Sequence, residues 1–184
     1  MSEALTMFRE RDDRSGASLG FVGLAQVALA RGDFDRAAEL LAEAEVLSRS
    51  VEDWFTLIAG LSSQALASRM RGDGDRTSAL LRESVGLAGT LGDAWHVVFG
   101  VTGLAGEAAR KGLAERAARL FGAAEALCET MGVNVPLPAW RALNERDLAL
   151  AREQLDARTF EAAWAEGRAM TLEEAVAGAL ANDP

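Results

Sequence analysis

The amino-acid sequence predicts an all-α protein built of stacked antiparallel helical hairpins. Three observations carry that reading. Of the 184 residues, 49% are apolar, only three are proline and none is tyrosine, and Ala, Leu, Arg and Glu, all good helix formers, are abundant. Fixed marks recur: Gly32, Gly72 and Gly112 are spaced by 40 residues, as are Gly20, Gly60 and Gly100, and Asp13, Asp53 and Asp93. Between these marks the apolar residues fall at helical rather than alternating spacing. A period of this length is the mark of an array in which each unit covers its neighbour's apolar face.

The elements follow in order. Residues 1–14 match 41–54 at the same offset, Glu3-Ala4-Leu5 aligning with Glu43-Ala44-Glu45, so the chain opens inside the second helix of a pair. A half-hairpin leaves an apolar stripe that an array normally covers. The sequence therefore predicts a fragment of a longer protein, or a covering partner, with Leu5 and Phe8 as candidates for self-association. The first full hairpin is 17–52. Phe21, Leu24, Ala25 and Ala28 line its first helix, Gly32 closes it in the left-handed conformation, and Asp33 or Asp35 opens the second, which carries Ala37, Leu40, Leu41, Ala44 and Leu47. A short carboxylate suits a helix start because it accepts from exposed N–H groups and meets the positive end of the dipole.

Hairpins 54–92 and 94–132 repeat the pattern. Ala25, Ala65 and Ala105 fall in phase, as do Ala37, Thr77 and Ala117, and Ala44, Ser84 and Ala124. Small residues at these places let two helices approach to about 8–10 Å. After Gly132 the pattern changes. Asn134-Val-Pro-Leu-Pro138 is an extended connector (133–138), since each proline disfavours helix in the residue before it. Capping helices then occupy 139–181: one over about 139–155, one capped by Asp156, and a last opened by the capping box Thr171-Leu-Glu-Glu174. The sequence thus reads as one domain over 1–184.

Charge excludes several function classes. The net charge is −9 and the arginines at 9–14 sit among Asp and Glu, so direct nucleic-acid contact and anionic membranes are disfavoured. No apolar run reaches the roughly 20 residues that span a bilayer, no signal-peptide core is present, and the single Cys128 cannot form an internal disulfide. A cytoplasmic address is expected.

No constellation for catalysis emerges. The lone His96 lacks partners and reads as structural, Cys128 as a small core residue, and Glu173 and Glu174 as solvated charges. Arg31-Gly-Asp33 and Arg71-Gly-Asp73 have local work in turns, and no glycine-rich stretch has the form of a phosphate loop. No enzyme activity, metal or cofactor is predicted. Trp54 and Trp95 are expected to pack between repeats, and Trp140 and Trp164 to pin the C-terminal cap.

The Gly32, Phe34, Ala37, Leu41, Ala44 spacing resembles the tetratricopeptide repeat over residues 17–132, with a longer period than the usual 34 or so and with Gly74 and Ala114 where Phe34 stands in the first unit. That resemblance implies a right-handed solenoid. Projected through the register, its concave groove implies a ligand or partner face at Val22, Gln26 and Leu29, at Ser62, Leu66 and Arg69, and at Phe99, Thr102 and Arg110. Arg69 and Arg110 would suit a carboxylate or phosphate. The tail, Arg119-Leu-Phe-Gly-Ala-Ala-Glu-Ala-Leu127 with Phe160-Glu-Ala-Ala-Trp164 and Thr171-Leu-Glu-Glu-Ala-Val176, resembles the C-terminal end of large bacterial LuxR-type and AfsR-type regulators. This implies a regulatory arm that binds a protein or peptide partner, or a small-molecule inducer. The alternative expectation is a stand-alone adaptor or a self-association module, with a homo-oligomer as one form of it.

Overall fold

A computed structural model describes residues 3–132 and 138–181, apart from the side chains of Ala4, Arg9 and Pro138. Among the described residues every regular element is a helix: α1 (Glu3–Glu10), α2 (Arg14–Ala30), α3 (Phe34–Ser50), α4 (Trp54–Arg71), α5 (Gly74–Leu91), α6 (Ala94–Arg110), α7 (Ala114–Met131), α8 (Pro138–Glu153), α9 (Ala157–Arg168) and α10 (Leu172–Leu180). The all-α reading holds, and the helix bounds fall within a few residues of those expected. The connector expected at 133–138 lies, up to residue 137, outside the described residues. Where the sequence reads one domain over 1–184, the chain forms two compact units, Met1–Leu80 and Leu81–Pro184, the division falling inside α5.

The repeat is finer than its 40-residue period. Each of the first seven helices ends in a left-handed residue, Asp12, Gly32, Glu52, Gly72, Gly92, Gly112 and Gly132, with φ of 52°, 76°, 54°, 79°, 67°, 79° and 64°. These turns fall at a constant spacing of half the period. At Gly32 the next amide closes the helix, Asp33 N–H donating to Ala28 O at 2.9 Å, and the same bond recurs from Asp53 to Ser48 O and from Asp93 to Ala88 O, each at 2.9 Å. This is the Schellman closure. The aspartate that closes one helix opens the next: Asp13, Asp33, Asp53, Asp73 and Asp93 accept from the amides of Gly16, Arg36, Thr56, Arg76 and His96. One residue serves two helices, which is why the turns stay short.

In the first unit α2 packs on α1, α3 and α4, and α3 on α4. Ala25, Ala37 and Ala44 are fully buried there, as are Ala65 and Thr77, so the small residues lie where close packing requires them. Ser18 Oγ donates to Ala44 O at 2.8 Å and shares a 2.6 Å hydrogen bond with Ser48 Oγ, which satisfies two buried hydroxyls. Arg71 reaches back to Asp35 at 2.8 Å and lies over the Phe34 ring. Leu5 and Phe8 correct an expectation. Leu5 is buried and Phe8 half-buried, and both pack on α2, whose Gly16 and Gly20 leave room for them. They belong to the α1–α2 contact rather than to an open stripe.

In the second unit α6 packs on α7, α8 and α10, and α7 on α8, α9 and α10. Ser84, Ala105, Ala117 and Ala124 are buried. Helix α9 crosses α7 backbone to backbone: a Cβ placed on Gly167 would lie 1.9 Å from Arg119 O, and one on Gly122 2.4 Å from Trp164 O. Arg168 braces this crossing by pairing with Glu125 and, at 2.7 Å, with Glu129. Hydrogen bonds to Glu129 and then Glu125 raise the guanidinium's pKa. Asp156 caps α9 through Thr159, whose hydroxyl and amide hold its carboxyl below the ordinary range. Thr171 and Glu174 form both halves of the capping box. Arg82 and Arg116 donate to the last carbonyls of α10, a favourable place for cations.

Candidate binding face

Rotation about the first helix of each pair decides which side chains are offered. On α2 the solvent-facing stripe is Leu19, Gly23, Gln26, Val27 and Ala30, with Leu19 59% and Val27 47% exposed. Of the expected groove residues only Gln26 shares it. Val22 and Leu29 are buried, because they lie on the same side as Phe21 and Ala25; Val22 faces Gly60 of α4. The solvent-facing stripe thus runs less than a turn from the residues expected to line a groove. On α4, Ser62, Leu66 and Arg69 are buried too, while Phe55 at one end is 61% exposed and Met70 at the other 42%. Trp54 is more than one-third exposed, against the expectation of a packed ring, and Trp95 is half-buried.

The corresponding stripe on α6 is Phe99, Gly103, Gly106, Glu107 and Arg110, in register with 19, 23, 26, 27 and 30 at twice the period. Here the face is covered by the chain's own α8. Trp140, fully buried, stacks on Phe99 with ring centroids 3.9 Å apart and 11° between planes. A Cβ on Gly103 would meet the Trp140 ring at 2.8 Å, so glycine at 103 makes room for the indole. Two turns on, Arg110 bridges Glu107 and Asp147, whose carboxylates are both buried. Beyond them Gln154 Nε2 donates to Ala109 O at 3.0 Å. Phe99, Thr102 and Arg110 are thus placed under or beside α8 rather than on a free surface, and Thr102 Oγ1 bonds within its own helix to Val98 O. Sequence reasoning assigned Trp140 to the cap but not to Phe99; the signal for it is Gly103 facing a tryptophan carried by α8, two helices on.

The remaining candidates have local roles. His96 Nδ1 lies 2.6 Å from Asp93 Oδ2, at the start of α6. Cys128 is half-buried, and burial, then Glu125, raises its thiol's pKa, away from the reactive thiolate. Partial burial works to raise the carboxyl of Asp53, but hydrogen bonds from Ser15 and Thr56 outweigh it and hold the group below its usual range. Asp33 and Asp73 are caps. Among the described residues no group of His, Cys, Asp and Glu is arranged to hold a metal ion, and no helix is long and apolar enough to cross a membrane. No protein-family model, no curated protein and no solved structure matches this chain.

Proposed function

We propose that this chain is a non-catalytic binding module of tetratricopeptide-like hairpins in a right-handed solenoid, whose inner face takes an amphipathic helix of a protein partner. One observation carries the reading. The repeat already accommodates such a helix at α6, where α8 lies across Phe99 and Gly103, while the register-equivalent stripe on α2 is apolar and exposed at Leu19 and Val27. A Cβ on Gly23 meets nothing within 4 Å, so the position that Trp140 covers on α6 is left uncovered on α2. Helix-in-groove recognition uses anchors at helical spacing, and an aromatic side chain is the strongest such anchor.

The occupant is therefore a helix bearing an aromatic residue and, two turns later, an apolar one. Apolar Val27 and Ala30 stand where α6 has Glu107 and Arg110, so the acid that α8 supplies as Asp147 is not wanted here. The tail's likeness to the end of LuxR-type and AfsR-type regulators supports a place for the module as the regulatory arm of such a protein, where capture of the helix would shift packing between pairs.

The test uses a labelled peptide spanning residues 138–155 with Asp147 replaced by leucine. Fluorescence anisotropy against the full chain is expected to show saturable binding, with Kd in roughly the micromolar range, lost in Leu19→Asp and Val27→Asp. Both positions are exposed, so neither variant disturbs the core. Binding that survives both substitutions would overturn the assignment to α2.

A further inference from the structure

In the second unit a short helix is seated across three others. Helix α10 packs on α6 and α7. It reaches α5 at two glycines, a Cβ on Gly89 falling 3.1 Å from Val176 and one on Gly86 3.9 Å from Leu180. The side chains it buries fully are small, those of Ala175 and Ala179. Gly178 lies over α7, where a Cβ would stand 3.8 Å from Leu120 Cδ2. The last carbonyls of α10 meet Arg116 in the first turn of α7, which donates to Ala181 O at 2.8 Å. Helix α10 therefore runs antiparallel to α7, with its C-terminal end at the N-terminal end of α7.

The first unit has the corresponding groove without the helix. At twice the period, Leu5, Phe21, Leu24 and Leu40 stand where Val85, Val101, Leu104 and Leu120 stand in the second unit. These residues of α1, α2 and α3 line a cavity of about 390 Å³, and Leu24 is only half-buried in it. Its polar side comes from α3. Arg36 holds the place of Arg116 and pairs with Glu39 at 2.8 Å, and Glu43 lies one turn beyond Glu39. In the second unit Arg119 and Ala123 stand where these two acids are, so the acidic rim belongs to the open groove alone. Thr6 replaces Gly86, so a helix entering here stands off α1 and leans on α3, where the charges lie.

We infer that this groove takes a short helix of a partner protein, seated as α10 is: small residues inward, its C-terminal end at Arg36, and a basic side chain over Glu43. Carbonyls at a helix C-terminus favour a cation such as Arg36. Charge complementarity fixes the basic side chain. In an antiparallel seat, the residue one turn before the one over Leu120 comes level with positions 123 and 124, and 43 is the counterpart of 123. In α10 that residue is Glu174, whose charge is the same as that of Glu39 and Glu43. A lysine or arginine there meets them with the opposite charge. The groove is separate from the Leu19 and Val27 face, because at 100° per residue Leu24 is turned about 140° from Leu19 around α2.

Two labelled peptides of residues 170–181, one with Glu174→Lys and one with Glu174 kept, serve as probes against the full chain, read by fluorescence anisotropy. The lysine peptide is expected to saturate with Kd below about 1 mM. The glutamate peptide should bind about fivefold more weakly, the ratio that one exposed ion pair supplies. Glu43→Arg, at an exposed position, should invert that order, weakening the lysine peptide and strengthening the other, each about fivefold. Leu24→Asp should weaken both at least about tenfold, and Leu19→Asp should change neither. Failure to saturate, an order that Glu43→Arg does not invert, binding kept in Leu24→Asp or binding lost in Leu19→Asp would each overturn the site. Light scattering of the chain alone tests the remaining occupant: a dimer that the lysine peptide disperses would give the groove to a second copy and overturn the partner helix.

Discussion

Helices α2 and α6 hold the same place in the repeat, begin with the same aspartate cap and end in the same left-handed turn, yet they meet their surroundings differently. Helix α6 is buried without a break from Val97 to Ala109, as a helix apolar on nearly every side must be. Helix α2 is buried along one side and open along another, where Leu19 and Val27 face solvent. The backbone register does not decide this. The difference is the presence of α8 over Phe99 and Gly103, and it shows how one scaffold offers a closed face and an open one by supplying a covering helix to only one of them.

The comparison is broken most directly at Trp140. Its ring is fully buried and stacked on Phe99, so Trp140→Ala removes both the anchor of α8 and the cover of α6. Truncating a buried tryptophan costs about 3–5 kcal/mol, and denaturant unfolding is expected to show a loss of that size. Leu19→Ala, at the register position of Phe99 but in solvent, should stay within about 0.5 kcal/mol of the parent. A loss below about 1 kcal/mol for Trp140→Ala would mean that α8 is held chiefly by the Arg110–Asp147–Glu107 cluster and not by the ring.

A gentler probe is one methyl group at equivalent places. At Gly103 a Cβ would lie 2.5 Å from Leu81 Cδ1 and 2.8 Å from the Trp140 ring, whereas at Gly23 it meets nothing within 4 Å. Gly103→Ala should therefore destabilise by about 1–3 kcal/mol through overpacking. Gly23→Ala should stabilise by about 0.5–1 kcal/mol, because alanine gives up less backbone freedom in a helix. Opposite signs from one substitution at one register position are the expected result in thermal and denaturant melts. A matching sign at both would mean that the two faces are equally open.

These pairs also show what the sequence made legible. Gly32, Gly72 and Gly112 and the aspartates that follow the turns can be read directly, because glycine and aspartate are chosen for backbone reasons that act locally. Which side of α2 faces solvent could not be read. In α2, apolar and small residues cover most of the circumference, so Val22 and Leu29 look as available as Leu19 and Val27 until α3 and α4 are packed beside them. The same holds for Trp140: nothing near residue 140 shows that its partner is Phe99, since that contact depends on how the chain returns after Gly132. Glu107 and Asp147, both buried on Arg110, drew no attention in the sequence for the same reason.

The smallest expected effect lies in the turns. Asp12 and Glu52 in the first unit occupy the left-handed positions that Gly92 and Gly132 hold in the second. A side chain in that conformation costs about 1–2 kcal/mol, while glycine costs part of that back by enlarging the freedom of the unfolded chain, about 0.4–1 kcal/mol. Glu52→Gly should therefore stabilise by roughly 0.5–1 kcal/mol. Gly92→Ala, where a Cβ would find open space and only the backbone objects, should destabilise by a similar amount. In a chain of this size the shifts are about 1–4 °C in the melting midpoint. Charge is the competing explanation, because the protein is already at −9 and removing an exposed glutamate lowers self-repulsion. Glu52→Ala separates the two: it removes the same charge but keeps the strained backbone, so it should leave the midpoint near that of the parent. If alanine stabilises as much as glycine, the gain comes from charge, and the left-handed turn at residue 52 carries no strain worth relieving.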